Sequence, residues 1–437
     1  MLLKRPWISF FAAALPLAIV FAAAGQMRDL EEAKPEVVGF SSQRLERLHA
    51  LLQKEVDDKQ LPGIVTILAR HGKTIDFRTY GKRDLASGAP MEKDTIFRIY
   101  SMTKPVTGVA MMILYEQGKW SPGDPIAKYI PEFTHLKVFK GTSSDGKPIL
   151  EDPVHEPTMA ELMSHTAGFT YGIFGTTAVD KMYRDARVLE SSNLREMIAK
   201  LAGLPLLYQP GSKWVYSVSV DIQGYLVEKL SGKPLGEFMR ENIWQPLGMK
   251  DTAFHIVPEK ATRLATLYAA NPTGALVTTN GGNVAMDFNQ EPTMPSGGGG
   301  LLSTATDYLR FGQMLLNGGE LAGVRILAPS SVALMRTNRL SPAMMNSQEF
   351  GIGFFHISPG FGFGFDFGVY NDPGFISHTV GTGTFTWGGA AGTWFWIDPA
   401  NDIVFIGMIQ RLILAGSPDM DTLAHESVYQ ALVNPQK

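Results

Sequence analysis

Strand-like patterns stand at both ends of this 437-residue chain, and helical ones lie between them. Ile64 to Arg70 and Thr74 to Tyr80 read as two strands around a His71-Gly72-Lys73 turn. Thr384 to Ile409 is strand-like again, with a turn at Asp398-Pro399-Ala400-Asn401-Asp402. Strands from the two ends can join one antiparallel sheet if the intervening chain leaves and returns, which is an α+β layout. Helices flank the strands. Ser42 to Asp58 carries an apolar stripe of Leu45, Leu48, Leu51, Leu52 and Val56, and Thr422 to Val433 reads as a closing helix. Residues 178 to 318 are mostly helical by pattern, punctuated by Gly and Pro. The sheet is therefore expected from about 60–100 and 350–412, with an inserted helical region over about 115–340.

Hydrophobic residues make up 45% of the chain and charged ones 19%, enough for a sizeable core without metals or disulfides. The net charge of -3 offers no basic footprint for nucleic acid. With no cysteine, disulfides, thiolate catalysis and Cys-based zinc sites are excluded. Residues 1–24 read as a signal peptide: Lys4 and Arg5, an uncharged run from Trp7 to Ala24, and Ala22-Ala23-Ala24 as the cleavage site. Cleavage before Gly25 leaves a domain of residues 25–437 with no stable membrane span, periplasmic or secreted. An uncleaved anchor is the alternative reading.

Next to the first strands stands Ile99-Tyr100-Ser101-Met102-Thr103-Lys104-Pro105. An extended run ends at Tyr100, and Val106, Val109, Ala110, Ile113 and Leu114 then recur at helical spacing. Ser101 thus stands at a helix mouth, near free N–H groups and the positive end of the dipole. Residues three apart share a helix face, so the Lys104 amine can reach back to the hydroxyl. A serine beside an amine is one way to activate a weak nucleophile. The same spacing recurs in Ser144-Asp145-Gly146-Lys147, inside a polar loop, so the four residues alone also fit a helix cap.

Two other segments supply partners. Tyr216 precedes a helix, and a phenol beside an ammonium can serve as a base. Trp387-Gly388-Gly389-Ala390 reads as a strand whose glycines mark either a bulge or close approach by a ligand, and its edge offers a backbone N–H to a carbonyl oxygen. Phe354 to Phe375, rich in Gly and Phe, reads either as the wall of an apolar acyl pocket or as a strand pair with an aromatic core. His165 reads as a structural residue packed near the cleft. Gly141 to Lys147 imitates a P-loop, but Pro148 replaces its Ser/Thr; neither G-x-S-x-G nor H-E-x-x-H occurs.

Taken in order, these segments resemble the serine β-lactamase and penicillin-binding-protein superfamily: S-x-x-K at Ser101, Tyr-Ser at Tyr216-Ser217, and a Trp-Gly-Gly strand at Trp387. Leu162 to Phe169, Pro246-Leu247-Gly248-Met249 and Gly299 to Asp307 fit the same pattern, so the resemblance spans roughly residues 40 to 430. It implies a serine β-lactamase-like α+β fold and an acyl-enzyme on Ser101, with Lys104 and Tyr216 sharing the base role. It also implies an oxyanion hole from the N–H groups of Ser101 and Ala390, and substrate contacts at Trp387, Gly388, Gly389 and Val218. Two departures narrow the activity. Val218 stands where β-lactamases usually have Asn, and Trp387 where they have the Lys that faces the drug's carboxylate. A carboxylate left without a partner costs several kcal/mol. The Tyr-Ser-x and Trp-Gly-Gly combination is most similar to the β-lactamase-like carboxylesterases (family VIII esterases). It implies a small-molecule ester or acyl substrate and no metal or cofactor. β-Lactamase, D-amino-acid peptidase and transacylase activities are the enzymatic alternatives, and an acylated sensor without turnover is the non-enzymatic one. His378, in His378-Thr379-Val380-Gly381, ranks below Trp387 for the third motif.

Overall fold

The computed structural model describes residues 30–346, 351–352, 355–376, 379–413 and 417–436. The expected signal segment and His378 lie outside them. In chain order the principal elements are α1 (Ser42–Asp57), β1 (Gly63–Arg70), β2 (Lys73–Asp84), α2 (Thr103–Glu116), α3 (Ser219–Ser231) and α4 (Ala305–Leu316). They are followed by β3 (Phe361–Phe363), β4 (Gly368–Tyr370), β5 (Phe385–Gly388), β6 (Trp394–Asp398), β7 (Ile403–Met408) and α5 (Met420–Ala431). The sheet runs Glu31–Glu32, β2, β1, β7, β6, β5, β4, β3, with Ala89–Pro90 paired to β2. All the β1-to-β7 pairings are antiparallel; only Glu31–Glu32 runs parallel to its neighbour. Both ends of the chain thus meet at β1 and β7, and the fold is α+β as the sequence led us to expect.

Every residue of β1 and β7 is buried, because helices cover both faces of the sheet. Leu45, Leu48 and Leu52 of α1 and Ala424 and Val428 of α5 pack on Ile64, Leu68, Trp396, Ile403 and Phe405. Trp396 stacks on Phe405 with ring centroids 4.2 Å apart. On the other face α2 and α4 pack on Val65, Ile67, Val404 and Ile406. Gly312 lets α4 sit close, since a Cβ there would lie 2.9 Å from Val404 Cγ1.

The region read as mostly helical departs from that reading between α3 and α4. Leu235–Met239 through Leu247 stays helical, and after it come loops, a short 3-10 helix at Pro258–Arg263 and a strand pair, Tyr268–Ala270 with Leu276–Thr278. Pro272, Gly274, Gly281, Gly282, Pro292, Pro295 and Gly297 to Gly300 break any helix there. The Gly/Phe-rich segment takes the second of its two readings. Phe361, Phe363, Phe365 and Phe367 are buried core residues around the β3–β4 hairpin.

Asp307, in the first turn of α4, ties this loop region down. Its carboxyl accepts hydrogen bonds from Asp251 N (2.7 Å), Lys250 N (3.2 Å) and Thr252 Oγ1 (2.9 Å). Burial outweighs those bonds and raises the carboxyl from 3.8 to about 6. A folded-state value above the unfolded one means that ionisation opposes folding, so this group's penalty is absent below pH 4 and complete above pH 6. Relative to Asp307→Asn, the wild type should therefore lose up to about 3 kcal/mol of unfolding free energy between pH 4 and pH 7, measured by urea denaturation at each pH.

Candidate active site

Tyr100, Ser101 and Met102 form a single 3-10 turn that opens directly into α2. Tyr100 holds φ 42°, a left-handed conformation that side chains disfavour, and so delivers Ser101 at a sharp bend. The bend is pinned by Ile99 N donating to Leu301 O (3.0 Å), Leu301 N to Thr103 Oγ1 (3.0 Å) and Tyr308 OH to Met102 O (2.8 Å).

Lys104, one helical step further, is completely buried. Its Nζ donates to Gly298 O (2.6 Å), Tyr171 Oη (3.1 Å) and Ser101 Oγ (3.3 Å). It also lies 4.5 Å from the centre of the Tyr216 ring. All three of these contacts are with oxygen acceptors. Tyr171 passes the polarity on, donating to Asp221 Oδ2 (3.4 Å), while Asp221 Oδ1 accepts from Ser296 Oγ (2.5 Å) and Gly298 N (3.1 Å). Burial, together with Asp221 and Tyr216, pushes the Tyr171 phenol well above its ordinary value, so it keeps its proton. The closeness is possible because residue 298 is glycine: a Cβ there would sit 2.5 Å from Tyr171 Oη.

Tyr216 lies just before α3, and its Oη accepts from Trp387 Nε1 (3.3 Å). Its loop is braced by His165. The ring Nδ1 accepts from Ser217 N (3.2 Å) and pairs with Ser217 Oγ (3.0 Å), and the His165 carbonyl accepts from Val215 N (2.9 Å). Burial and the nearby Lys104 charge push the imidazole well below its ordinary value, so it stays neutral, a structural brace. Behind Lys104, Asp366 Oδ1 accepts from Gln223 Nε2 (3.1 Å), while Asp366 Oδ2 and Gln223 Oε1 have no donor. Burial pushes this carboxyl well above the usual carboxylate range. A proton on Oδ2 would give the pair the donor it lacks.

The β5–β6 turn closes the other side. Gly389 packs so tightly on the Ile99 carbonyl that a side chain would collide with it. Gly389 N donates to Thr393 O (2.7 Å), and the Ala390 and Ala391 carbonyls accept from Ile413 N (2.8 Å) and Arg411 N (3.0 Å). Ser101 and Ala390 both line a cavity of about 430 Å³, whose walls include Tyr171, Phe174, Phe254, Met286, Phe288 and Met294. Trp387, Gly388, Gly389 and Val218 do not line it. Trp387 is buried against Tyr216 and Phe363, and Val218 is buried at the start of α3.

The family model described as beta-lactamase matches residues 48–430. The chain belongs to the beta-lactamase family. Protein Rv1367c of Mycobacterium tuberculosis is 35% identical over 366 residues, covering 83% of this chain and 89% of that one. Esterase EstB of Burkholderia gladioli is 31% identical over 372 residues, covering 81% and 87%. Among solved structures, EstCE1, described as a hydrolase with promiscuous acyltransferase activity, superposes with a TM-score of 0.73 at 27% identity, covering 89% of this chain and 99% of that one. This beta-lactamase-family chain is a serine hydrolase.

Sequence reasoning passed over Tyr171, Asp221, Ser296 and Gly298. Tyr171 follows the Leu162–Phe169 motif by two residues, and Gly298 precedes the Gly299–Asp307 motif by one. Extending both family segments by a turn would have reached them. Asp221 carries no such flag, since an acidic residue in a helix's first turn is ordinary.

Proposed function

We propose that this protein hydrolyses carboxylic esters through an acyl-enzyme on Ser101. The observation carrying that reading is the Ser101 hydroxyl on the cavity wall, 3.3 Å from the buried Lys104 amine. As Oγ adds to the ester carbonyl, its proton passes to the Lys104–Tyr216 pair, with Lys104 in its amine form or Tyr216 as phenolate. Collapse breaks the bond to the leaving alkoxide, which takes that proton. Water then adds to the acyl carbon, gives its proton to the same pair, and the Oγ–acyl bond breaks as Ser101 is reprotonated. The N–H groups of Ser101 and Ala390 receive the oxyanion; a donor of this kind contributes about 3 kcal/mol. Among the described residues no lysine or arginine lines the cavity, which favours esters over carboxylate-bearing β-lactams. The pattern of residues 1–24 supports export.

Short-chain p-nitrophenyl esters and a chromogenic cephalosporin, assayed on wild type and Ser101→Ala, test this. Ester turnover should exceed cephalosporin turnover, and Ser101→Ala should lower kcat/KM by about 10⁴-fold or more. Ester hydrolysis persisting in Ser101→Ala would remove the nucleophile assignment. Cephalosporin turnover without esterase activity would reverse the substrate order. A stable adduct without turnover would make the protein a sensor.

A further inference from the structure

The cavity beside Ser101 has an asymmetric charge distribution. Part of its wall is aromatic and thioether: Tyr100, Phe174, Phe254, Phe288, Met286 and Met294. The ionisable carboxyls on that wall are Asp221, Asp287 and Glu291. Asp221 is buried and committed to Ser296, Gly298 and Tyr171. Asp287 and Glu291 are exposed, on the loop that forms the cavity mouth. Asp287 Oδ1 accepts from Asn289 N (2.8 Å) and Nδ2 (3.0 Å), and Oδ2 from Gln290 Nε2 (3.2 Å). These bonds hold its carboxyl below the usual range.

Two cations near this cavity are engaged elsewhere. Lys104 points inward to Gly298, Tyr171 and Ser101. Arg98 lies 5.6 Å from the Phe288 ring centre and donates to Ala265 O (2.7 Å); it does not line the cavity. The inner wall thus combines apolar side chains with the internally hydrogen-bonded Asp221, and the mouth carries two carboxyls that form no ion pair among the described residues.

We infer that Asp287 and Glu291 set the charge specificity of the site, favouring esters whose end remote from the carbonyl bears an ammonium group over those ending in a carboxylate. The inference rests on the ester-hydrolase reading. An apolar spacer fills the aromatic part of the cavity while the remote cation reaches the acidic mouth, and a remote carboxylate meets repulsion there. Because both acids are exposed, the preference is screened by salt.

Three p-nitrophenyl esters of matched shape test it: 6-(trimethylammonio)hexanoate, neutral 7,7-dimethyloctanoate, and the monoester of heptanedioate. The ratio of kcat/KM for cation over anion should be about ten-fold or more at ~20 mM salt and fall towards about two-fold at ~0.5 M. Asp287→Asn/Glu291→Gln should bring the low-salt ratio to within about two-fold, with each single variant between. Ratios cancel any loss of folded enzyme, and the neutral ester separates attraction of the cation from repulsion of the anion. A wild-type ratio at or below one, or a ratio unchanged in the double variant, overturns the inference alone. If none of the three esters is turned over in a Ser101-dependent way, the ester reading fails and takes this inference with it.

Discussion

Lys104→Met is expected to lower kcat for ester hydrolysis by about 10³-fold while leaving a folded protein. Methionine keeps the length and apolar stem of lysine, so the fully buried site stays filled. What disappears is the amine 3.3 Å from Ser101 Oγ. Tyr171 keeps its acceptor in Asp221, but Gly298 O loses the donor that now stands 2.6 Å away. An orphaned buried carbonyl costs about 1–3 kcal/mol, so the variant should be less stable but not unfolded. Lys104→Ala should be less stable still, because it adds a cavity to the same loss. Initial rates alongside urea denaturation separate the two effects. A Lys104→Met enzyme that is folded and has wild-type kcat would show that the amine is not the base, leaving Tyr216 to act alone.

Asp221→Ala should destabilise the protein by about 3–5 kcal/mol, the range for breaking a buried charged hydrogen-bond network. The carboxylate accepts from Ser296 Oγ, Gly298 N and Tyr171 Oη, and each donor is left in a dry environment when it goes. Asp221→Asn keeps one oxygen for Ser296 and Gly298, and Tyr171 can turn to accept from the new amide. It should retain about half of that stability. Urea midpoints of the two variants give the comparison, and equal losses would mean that the network contributes only through packing. Activity should follow stability in Asp221→Asn but fall further in Asp221→Ala, since Gly298 O then no longer holds Lys104 in place.

Ser101, Lys104 and Tyr216 were legible in the sequence because each sits in a short motif whose spacing is local. The sheet was legible for a related reason: Ile64–Arg70 and Thr384–Ile409 carry strand patterns strong enough to read without their partners. The cavity was not. Its wall comes from Tyr171, Phe254, Asn283 to Phe288, Gln290, Glu291 and Met294, residues far apart in sequence. The loop from Asn283 to Pro295, broken by Pro292 and Pro295, has no periodicity to reveal that one side of it faces a nucleophile. The Gly/Phe-rich hairpin could be read either as a pocket wall or as a strand pair with an aromatic core, because its aromatic density is high. Density alone does not distinguish a wall from a core, and here alternating glycines let Phe361, Phe363, Phe365 and Phe367 bury themselves.

The seam between β1 and β7 also bears on how the chain is made. Arg70 binds the Asn401 carbonyl, 331 residues away, and reaches Val38 O and Pro435 O with its other nitrogens. On a ribosome the amino-terminal hairpin emerges long before the strand that must lie beside it. Until then one edge of β1 stays unpaired, and closing so long a loop is slow. That open edge is a template for the wrong partner, so synthesis rate and chaperone access, more than final stability, should govern how much of this protein reaches its native state.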